Sequence, residues 1–239
     1  MARIAIYTIV HDVTHKRSEI TRKSFKHLRS EAGIAFDHYV ADNGSLPETS
    51  RWLESEYASG RIHRLYPSDE NLGQNIAANI LLDWICEKSY DWILRWDNDG
   101  IPRTRRFLKS LVSKADQFDK EGVRGVFSPK ITKLENPPEA FMEGDDVGFK
   151  YEVVRMLGGI CRLHPASFFS DFRFNKFGAL GFGEALEVAD RCLELNMPKI
   201  RIPSIKVEHC MGHSKQQEED PEYFSFENRE IGRYVGYGL

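Results

Sequence analysis

The sequence has 239 residues, of which 41% are hydrophobic and 29% are charged, a balance typical of a globular domain. A net charge of -3 gives no overall electrostatic reason to expect nucleic-acid binding. No apolar run approaches the length of a membrane-spanning helix and no signal peptide is evident, so we expect no transmembrane segment. The cysteines have no paired spacing, which indicates free thiols and a cytoplasmic location: Cys86, Cys161, Cys192 and Cys210.

The first hundred residues alternate between predicted strands and predicted helices. Strands are predicted at Ile4 to Val10, Phe36 to Ala41, Ile62 to Tyr66 and Asp91 to Trp96. Helices are predicted to begin at Ser18, after Ser45 with its capping-box partner Glu48, and after the segment from Asn71 to Asn75. This alternation predicts an α/β fold with a mostly parallel central sheet and helices on both faces.

The pattern changes after Gly100. Helices are predicted at about Thr104 to Phe118 and at Glu184 to Leu195, and strands at Val123 to Ser128, Gly158 to Leu163 and Ile200 to Val207. The acidic, proline-containing stretch from Leu134 to Gly148 has the composition of a mobile loop. We expect this stretch to act as a lid that becomes ordered when ligands bind.

Asp97-Asn98-Asp99 directly follows the fourth predicted strand. Open α/β sheets bind ligands at the carboxyl ends of their strands, which is where Asp97 and Asp99 are expected. Two carboxylates there form a hard oxygen site for Mg²⁺ or Mn²⁺, ions that commonly bridge nucleotide phosphates. The alternative is a turn in which these residues only satisfy the backbone.

Short motifs occur in a defined order along the chain. They are Asp42-Asn43-Gly44-Ser45, Asn71-x-Gly73, Asp97-Asn98-Asp99, Gly181-Phe182-Gly183-Glu184 with Glu187 and Arg191, and His209-x-x-Gly212-x-Ser214. From about Ile4 to Ser214, this series resembles the family-2 glycosyltransferases of the GT-A fold. The resemblance implies one Rossmann-like domain in which residues 1–100 bind a nucleotide-sugar donor, residues 101–214 bind the acceptor and catalyse, and residues 215–239 form an extension.

The resemblance also implies roles for individual residues. The activity would be transfer of a hexose or related sugar to an acceptor hydroxyl with inversion, with Mn²⁺ or Mg²⁺ as cofactor. Asp42 would contact the nucleotide base, and Asp97 would approach the ribose and the donor sugar. The metal site would comprise Asp97, Asp99 and His209. The remaining nucleotide-binding residues would be Thr8, Val10, His11, Asn71, Gly73 and Asn75.

The catalytic base is where the chain departs from the family. The family has Glu-Asp after the Gly-aromatic-Gly step, with the Asp as base, but this sequence has Glu184-Ala185. Either Glu184 accepts the proton from the acceptor hydroxyl, or Glu187 reaches the site, or the protein does not perform ordinary transfer. A helix pair between Glu187 and Arg191 is the simpler interpretation for Glu187.

Two alternatives to a glycosyltransferase stay open. A sugar nucleotidyltransferase would carry a Gly-rich phosphate loop after the first strand, where this chain has Val10 to His15 without a glycine. A catalytically silent nucleotide- or glycan-binding domain would explain Ala185. Structural zinc at His209, Cys210 and His213 is disfavoured because no Cys-x-x-Cys partner occurs elsewhere. The acceptor could be a glycan, a protein, a small molecule or a modified nucleic acid.

Overall fold

The computed structural model of the protein describes residues 2–134, 137–175 and 184–211, together with residues 218, 220 and 221. The helices are α1 (His15–Glu31), α2 (Pro47–Ala58), α3 (Gln74–Cys86), α4 (Phe107–Lys120) and α5 (Glu184–Glu194). The strands are β1 (Ile4–Val10), β2 (Asp37–Asn43), β3 (Arg64–Ser68), β4 (Trp92–Trp96), β5 (Gly100–Pro102), β6 (Val126–Thr132), β7 (Ala140–Gly144), β8 (Tyr151–Val154), β9 (Cys161–Pro165) and β10 (Lys199–His209). The motif residues Gly181, Phe182, Gly183, Gly212 and Ser214, and most of the 215–239 extension, lie outside the described residues.

The strands form one sheet in the order β3-β2-β1-β4-β9-β6-β10-β8-β7, with β5 pairing with β10. The first four of these strands are mutually parallel. Among the ten strands of the described residues, β5, β8 and β9 run against the other seven. The predicted α/β class with a mostly parallel sheet is therefore confirmed.

Successive side chains along each strand point to opposite faces of the sheet, so the hydrophobic core has one part on each face. Ile4 and Ile6 of β1 pack with α4 on one face, whereas Ala5 and Tyr7 pack with α3 and α5 on the other. A smaller cluster around Val10 joins α1 and α2 to the first face. Within the part of the chain that the structure describes, no helix is long and apolar enough to cross a bilayer.

Helices α1 and α2 begin differently from the prediction. α1 begins at His15 rather than Ser18, because the Thr14 hydroxyl caps it by accepting from the Arg17 amide (3.3 Å). α2 has Leu46 at its N-cap with no side-chain cap, so the predicted Ser45 cap is wrong. Ser45 instead donates to the Val10 carbonyl oxygen, which ties the end of β1 to the turn after β2.

The predicted mobile loop from Leu134 to Gly148 contains the strand β7, which pairs with β8 at the edge of the sheet. The sequence conceals this strand because β7 has no buried face, and Phe141 and Met142 are exposed. Backbone pairing alone makes it a strand. The loop interpretation is therefore wrong for residues 140–144, and the lid role stays a prediction.

Candidate functional site

The Asp97-Asn98-Asp99 turn joins β4 to β5. The Gly100 amide closes the turn by donating to the Asp97 carbonyl oxygen (3.1 Å). β5 pairs antiparallel with the end of β10, and this register sets His209 opposite Gly100. Two residues from distant parts of the sequence, Asp99 and His209, consequently meet at the edge of the sheet.

The carboxylate of Asp99 lies between two basic side chains. His209 Nε2 is 3.2 Å from Asp99 Oδ2, and Arg17 Nη1 donates to the same oxygen at 3.3 Å. Burial raises the pKa of Asp99, but the His209 hydrogen bond and charge and the Arg17 guanidinium outweigh it and lower the pKa to about 2. Burial lowers the pKa of His209, but Asp99 and Asp97 raise it overall. Asp99 is therefore held as an anion in a site rich in positive charge.

Asn98, the middle residue of the triplet, attaches the turn to α1. Its amide nitrogen donates to Asp12 Oδ1 (3.0 Å) and to Thr21 Oγ1 (2.7 Å), and its oxygen accepts from Arg17 Nη2 (3.4 Å). Asn98, Asp12 and Thr21 are all buried. This network fixes the orientation of Asp99, and the motif analysis did not find it.

The donor atoms at Asp99 fit a divalent metal in part. Two ligands at about 2.1 Å from one ion and at right angles are about 3.0 Å apart. The Asp99–His209 separation of 3.2 Å is close to that value, and one oxygen with one imidazole nitrogen suits Mn²⁺. No group of three or more His, Cys, Asp or Glu side chains among the described residues could hold a metal. The pair could therefore hold an ion whose other ligands come from a bound anion and water.

Asp97 is the more accessible carboxylate of the triplet, with its side chain 31% exposed. Arg95 holds one of its oxygens through Nε (3.1 Å) and Nη2 (2.9 Å). Asp97 thus projects from the turn with its position fixed by an ion pair. That placement is compatible with the predicted contact to the donor sugar.

Three polar side chains join the ends of β1, β2 and α3. His11 Nδ1 bonds to the Asn43 carbonyl oxygen (2.8 Å), and Asn43 Nδ2 donates to Asn71 Oδ1 (2.8 Å). Asn71 Nδ2 lies 3.3 Å from His11 Nε2 and completes the ring. His11 and Asn71 therefore meet at the carboxyl edge, and Asn43, missing from the predicted site residues, links them. The nucleotide-binding role of His11 and Asn71 stays a prediction.

Two glycines allow this close approach. Gly44 has φ of 78°, and a Cβ there would lie 2.8 Å from the Asn71 amide nitrogen. Gly73 has φ of 82° and forms the N-cap of α3. A side chain at either position would strain the backbone or separate β2 from α3.

The sequence assigned nucleotide contacts to four residues whose side chains are buried. Thr8 bonds to His38 Nε2 (3.0 Å) inside the protein, and Val10 packs in the core with Leu53. Both lie on a strand buried on its two faces, and their predicted place against the base and ribose of a nucleotide stays a prediction.

Asp42 and Asn75 hold neighbouring segments in place. Asp42 Oδ1 accepts from the Ser45 amide (3.1 Å), and its residue is 2% exposed. Asn75 Nδ2 donates to the Asn175 carbonyl oxygen (2.9 Å) and to Glu187 Oε1 (3.2 Å). Their roles toward a nucleotide stay predictions, whereas the structure shows that they hold these segments in place.

Arg95 and Arg162 form a buried pair of cations behind the turn. The β4–β9 register sets them directly opposite each other, and they are 6% and 0% exposed. Glu184, at the start of α5, forms an ion pair with each guanidinium, and Gln74 lies against Arg95 and Glu184. Like charges directly across a sheet repel, so Glu184 supplies the countercharge that this pair requires.

Glu184 and Glu187, the two predicted bases, are both occupied by protein groups. Glu184 is 3% exposed, and each of its carboxylate oxygens is paired with an arginine, Oε2 with Arg95 and Oε1 with Arg162. Glu187 accepts from Asn75 and, at 2.7 Å, from the Asn175 amide. The expected Glu187–Arg191 pair is wrong, since Arg191 pairs with Asp171 and Glu194. The base role of either glutamate stays a prediction, and these contacts weigh against it.

Arg17, Arg95 and Arg162 are site residues that the motif analysis missed. A usable signal existed for the last two. Each arginine lies within a short apolar strand, Trp92–Trp96 or Cys161–Pro165, and a buried cation must have an anionic partner nearby.

The fold is that of GT-A-like glycosyltransferases. S. aureus TarS superposes with a TM-score of 0.62 at 12% identity, covering 87% of this chain and 37% of that one. S. aureus TarS 1-349 in complex with UDP-GlcNAc gives 0.57 at 14% identity, covering 98% and 66%. GalNAc-T7 with UDP, GalNAc and Mn²⁺ gives 0.62 at 12% identity, covering 87% and 44%.

These proteins are longer than the chain described here, which spans between 37% and 66% of their lengths. No protein-family model matches the sequence, and no curated protein matches it significantly. At such low identity the likeness establishes the fold alone.

Proposed function

We propose that the protein is a family-2-type glycosyltransferase that transfers a sugar from a nucleotide-sugar donor to an acceptor hydroxyl with inversion. The observation that carries the proposal is the meeting of Asp99 and His209, 3.2 Å apart, at the carboxyl edge of the sheet. The resemblance in sequence motifs anticipates this meeting, and the fold supports it. Neighbours with the same fold bind UDP or UDP-GlcNAc, which makes a uridine nucleotide the first donor to test.

In this proposal the ring of His11, Asn43 and Asn71 borders the nucleoside, and Asp42 fixes the turn beside it. Asp97 orients the donor sugar, because Arg95 holds it in place. Asp99 and His209 would bind Mn²⁺ or Mg²⁺, which would offset the negative charge of the departing nucleoside diphosphate. An inverting reaction further needs a base on the acceptor side, and Glu184 and Glu187 are the assigned candidates.

A second candidate is a nucleotide- or glycan-binding domain without transfer activity. The specific observation in its favour is that Glu184 neutralises Arg95 and Arg162 while Ala185 stands at the family's base position. Such a domain would bind the donor and leave it intact.

Binding is tested first, by thermal unfolding with nucleoside diphosphates in the presence and absence of Mn²⁺. A ligand at about 100 times its Kd adds about 2.7 kcal/mol to the free energy of unfolding. We expect UDP with Mn²⁺ to stabilise the wild type against unfolding. In Asp99→Asn, the additional stabilisation that Mn²⁺ provides should be lost. Asp119→Asn, on an exposed residue paired with Arg124, is the matched control and should behave as wild type. Equal metal-dependent stabilisation in Asp99→Asn would remove Asp99 from the metal site.

Turnover then separates the two candidates. A transferase should release UDP from a UDP-sugar slowly without acceptor and faster with the right acceptor. The silent domain should bind the donor and release no UDP. If Ala185→Asp releases UDP from a UDP-sugar and the wild type does not, the result would favour the silent domain.

A further inference from the structure

The first turn of α1 has an unusual charge for its position. It consists of His15, Lys16 and Arg17, and the turn contains no acidic residue. Positive charge at a helix N-terminus opposes the helix dipole. Anions that face the turn offset this unfavourable charge, and Asp99 is such an anion for Arg17.

Arg17 lies within the Asp99 site beside His209. Its side chain is 7% exposed, as is that of Asp99. One guanidinium nitrogen donates to Asp99 and the other to Asn98, so the group spans two residues of the triplet. The oxygen that Arg17 contacts, Asp99 Oδ2, is the same one that faces His209.

A divalent ion at this oxygen and the guanidinium would repel each other at close range in a buried site. We propose that Arg17 is a resident countercation of Asp99 that competes with the divalent metal, so that metal binds tightly only together with a nucleoside diphosphate. This inference rests on the proposed function, because it concerns the regulation of the same site.

The diphosphate would release Arg17 from its contact with Asp99. Guanidinium groups bind phosphate oxygens through paired hydrogen bonds, so the incoming anion offers Arg17 an alternative to Asp99. The helix N-terminus beside Arg17 adds to the attraction for that anion. Asp99 then becomes available to the metal, and the two ligands favour each other's binding.

The test is direct Mn²⁺ binding, measured from the electron paramagnetic resonance signal of the free ion, with and without UDP. Without UDP, Arg17→Gln should bind Mn²⁺ at least about tenfold more tightly than wild type, because one buried positive charge is gone. With saturating UDP the two should differ by less than about threefold, because Arg17 no longer contacts Asp99. Asp99→Asn should lose Mn²⁺ binding in both conditions.

Two further variants keep charge and folding effects separate. Lys23→Gln removes one positive charge from an exposed position of the same helix and should leave Mn²⁺ affinity within about twofold of wild type. Arg17→Lys keeps the charge and should also stay close to wild type without UDP. Should Arg17→Gln fail to fold, Arg17→Met takes its place, because it also removes the charge and keeps an apolar stem, and the same gain in Mn²⁺ affinity without UDP is expected.

Equal Mn²⁺ affinity of wild type and Arg17→Gln without UDP, with Asp99→Asn still losing the metal, would overturn the role of Arg17 and leave the proposed function standing. Tight Mn²⁺ binding by the wild type without UDP would also overturn it. Absence of both Mn²⁺ and UDP binding in the wild type would instead count against the proposed function itself.

Discussion

Asp99 and Glu184 are both buried carboxylates near the carboxyl edge of the sheet, yet they have different partners. Asp99 contacts one histidine and one arginine, both carried by elements that flank the turn. Glu184 contacts Arg95 and Arg162, which the strand register forces together. A histidine can give up its proton and become a metal ligand, whereas two facing guanidinium groups always require an anion.

Asp99 is a carboxylate that can change partners, whereas Glu184 is one that cannot. Among the described residues, removal of Glu184 leaves Arg162 without a carboxylate partner and leaves Arg95 with Asp97 alone. Substitution at Asp99 leaves Arg17 in contact with Asn98 and near the buried Asp12. Both Asp99 and Glu184 are buried carboxylates, so burial and residue type do not distinguish them. The side chains that they contact do.

The largest expected effect is on Glu184→Gln. We expect a loss of about 3–5 kcal/mol in the free energy of unfolding, because breaking a buried ion pair leaves an uncompensated charge. Asp99→Asn should lose less, about 1–2 kcal/mol. Urea denaturation at pH 7 measures both. A Glu184→Gln protein as stable as wild type would show that Arg95 and Arg162 do not depend on this carboxylate.

The sequence predicts those features that follow from apolar runs and from the order of motifs along the chain. β1 was predicted with its observed bounds, and the motif order brought Asp99 and His209 together correctly. It did not predict that Arg95 faces Arg162, because that depends on which strand pairs with β4. β9 inserts between β4 and β6 from a later part of the chain, and no local pattern fixes that pairing.

The prediction of the base shows how this limitation affected the site. Glu184 at the start of a helix, next to the family's base position, was a reasonable base as long as its neighbours were unknown. The cross-strand arginine pair gives Glu184 the role of a countercharge, and its role as a base stays a prediction. The helix-cap prediction for Ser45 is wrong for a similar reason, since its hydroxyl bonds to the Val10 carbonyl oxygen of β1 rather than to the helix that follows it.

A second prediction compares Asp99 with Asp12, whose pKa values are shifted in opposite directions. Burial raises the pKa of Asp12 to about 6, despite the charge of Arg17. The folded state then holds this proton more tightly than the unfolded state, so its contribution to stability falls as the pH rises from about 4 to about 6. The pKa of Asp99 is lowered to about 2, so its contribution is present above about pH 4 and is lost as the pH falls toward 2.

Asp12→Asn removes the first of these two effects. The stability of this variant relative to wild type should therefore increase between pH 4 and pH 7, by up to about 3 kcal/mol. Chemical denaturation across that pH range, with Asp119→Asn as an exposed-carboxylate control, provides the measurement. A constant difference between Asp12→Asn and wild type would mean that Asp12 titrates normally in the folded protein.

The smallest expected effect is on Glu187→Gln, three residues after Glu184 on the same helix. Its partners are the neutral Asn75 amide and the Asn175 backbone amide, and a glutamine oxygen can accept from one of them. We expect a loss of at most about 1 kcal/mol in the free energy of unfolding and unchanged UDP binding. Denaturation and calorimetry check these expectations beside Glu184→Gln. Similar losses of unfolding free energy in Glu184→Gln and Glu187→Gln would show that the charged partners of Glu184 matter no more than the neutral partners of Glu187. Normal stability with loss of sugar transfer in Glu187→Gln alone would identify Glu187 as the base, because only proton acceptance would then have been removed.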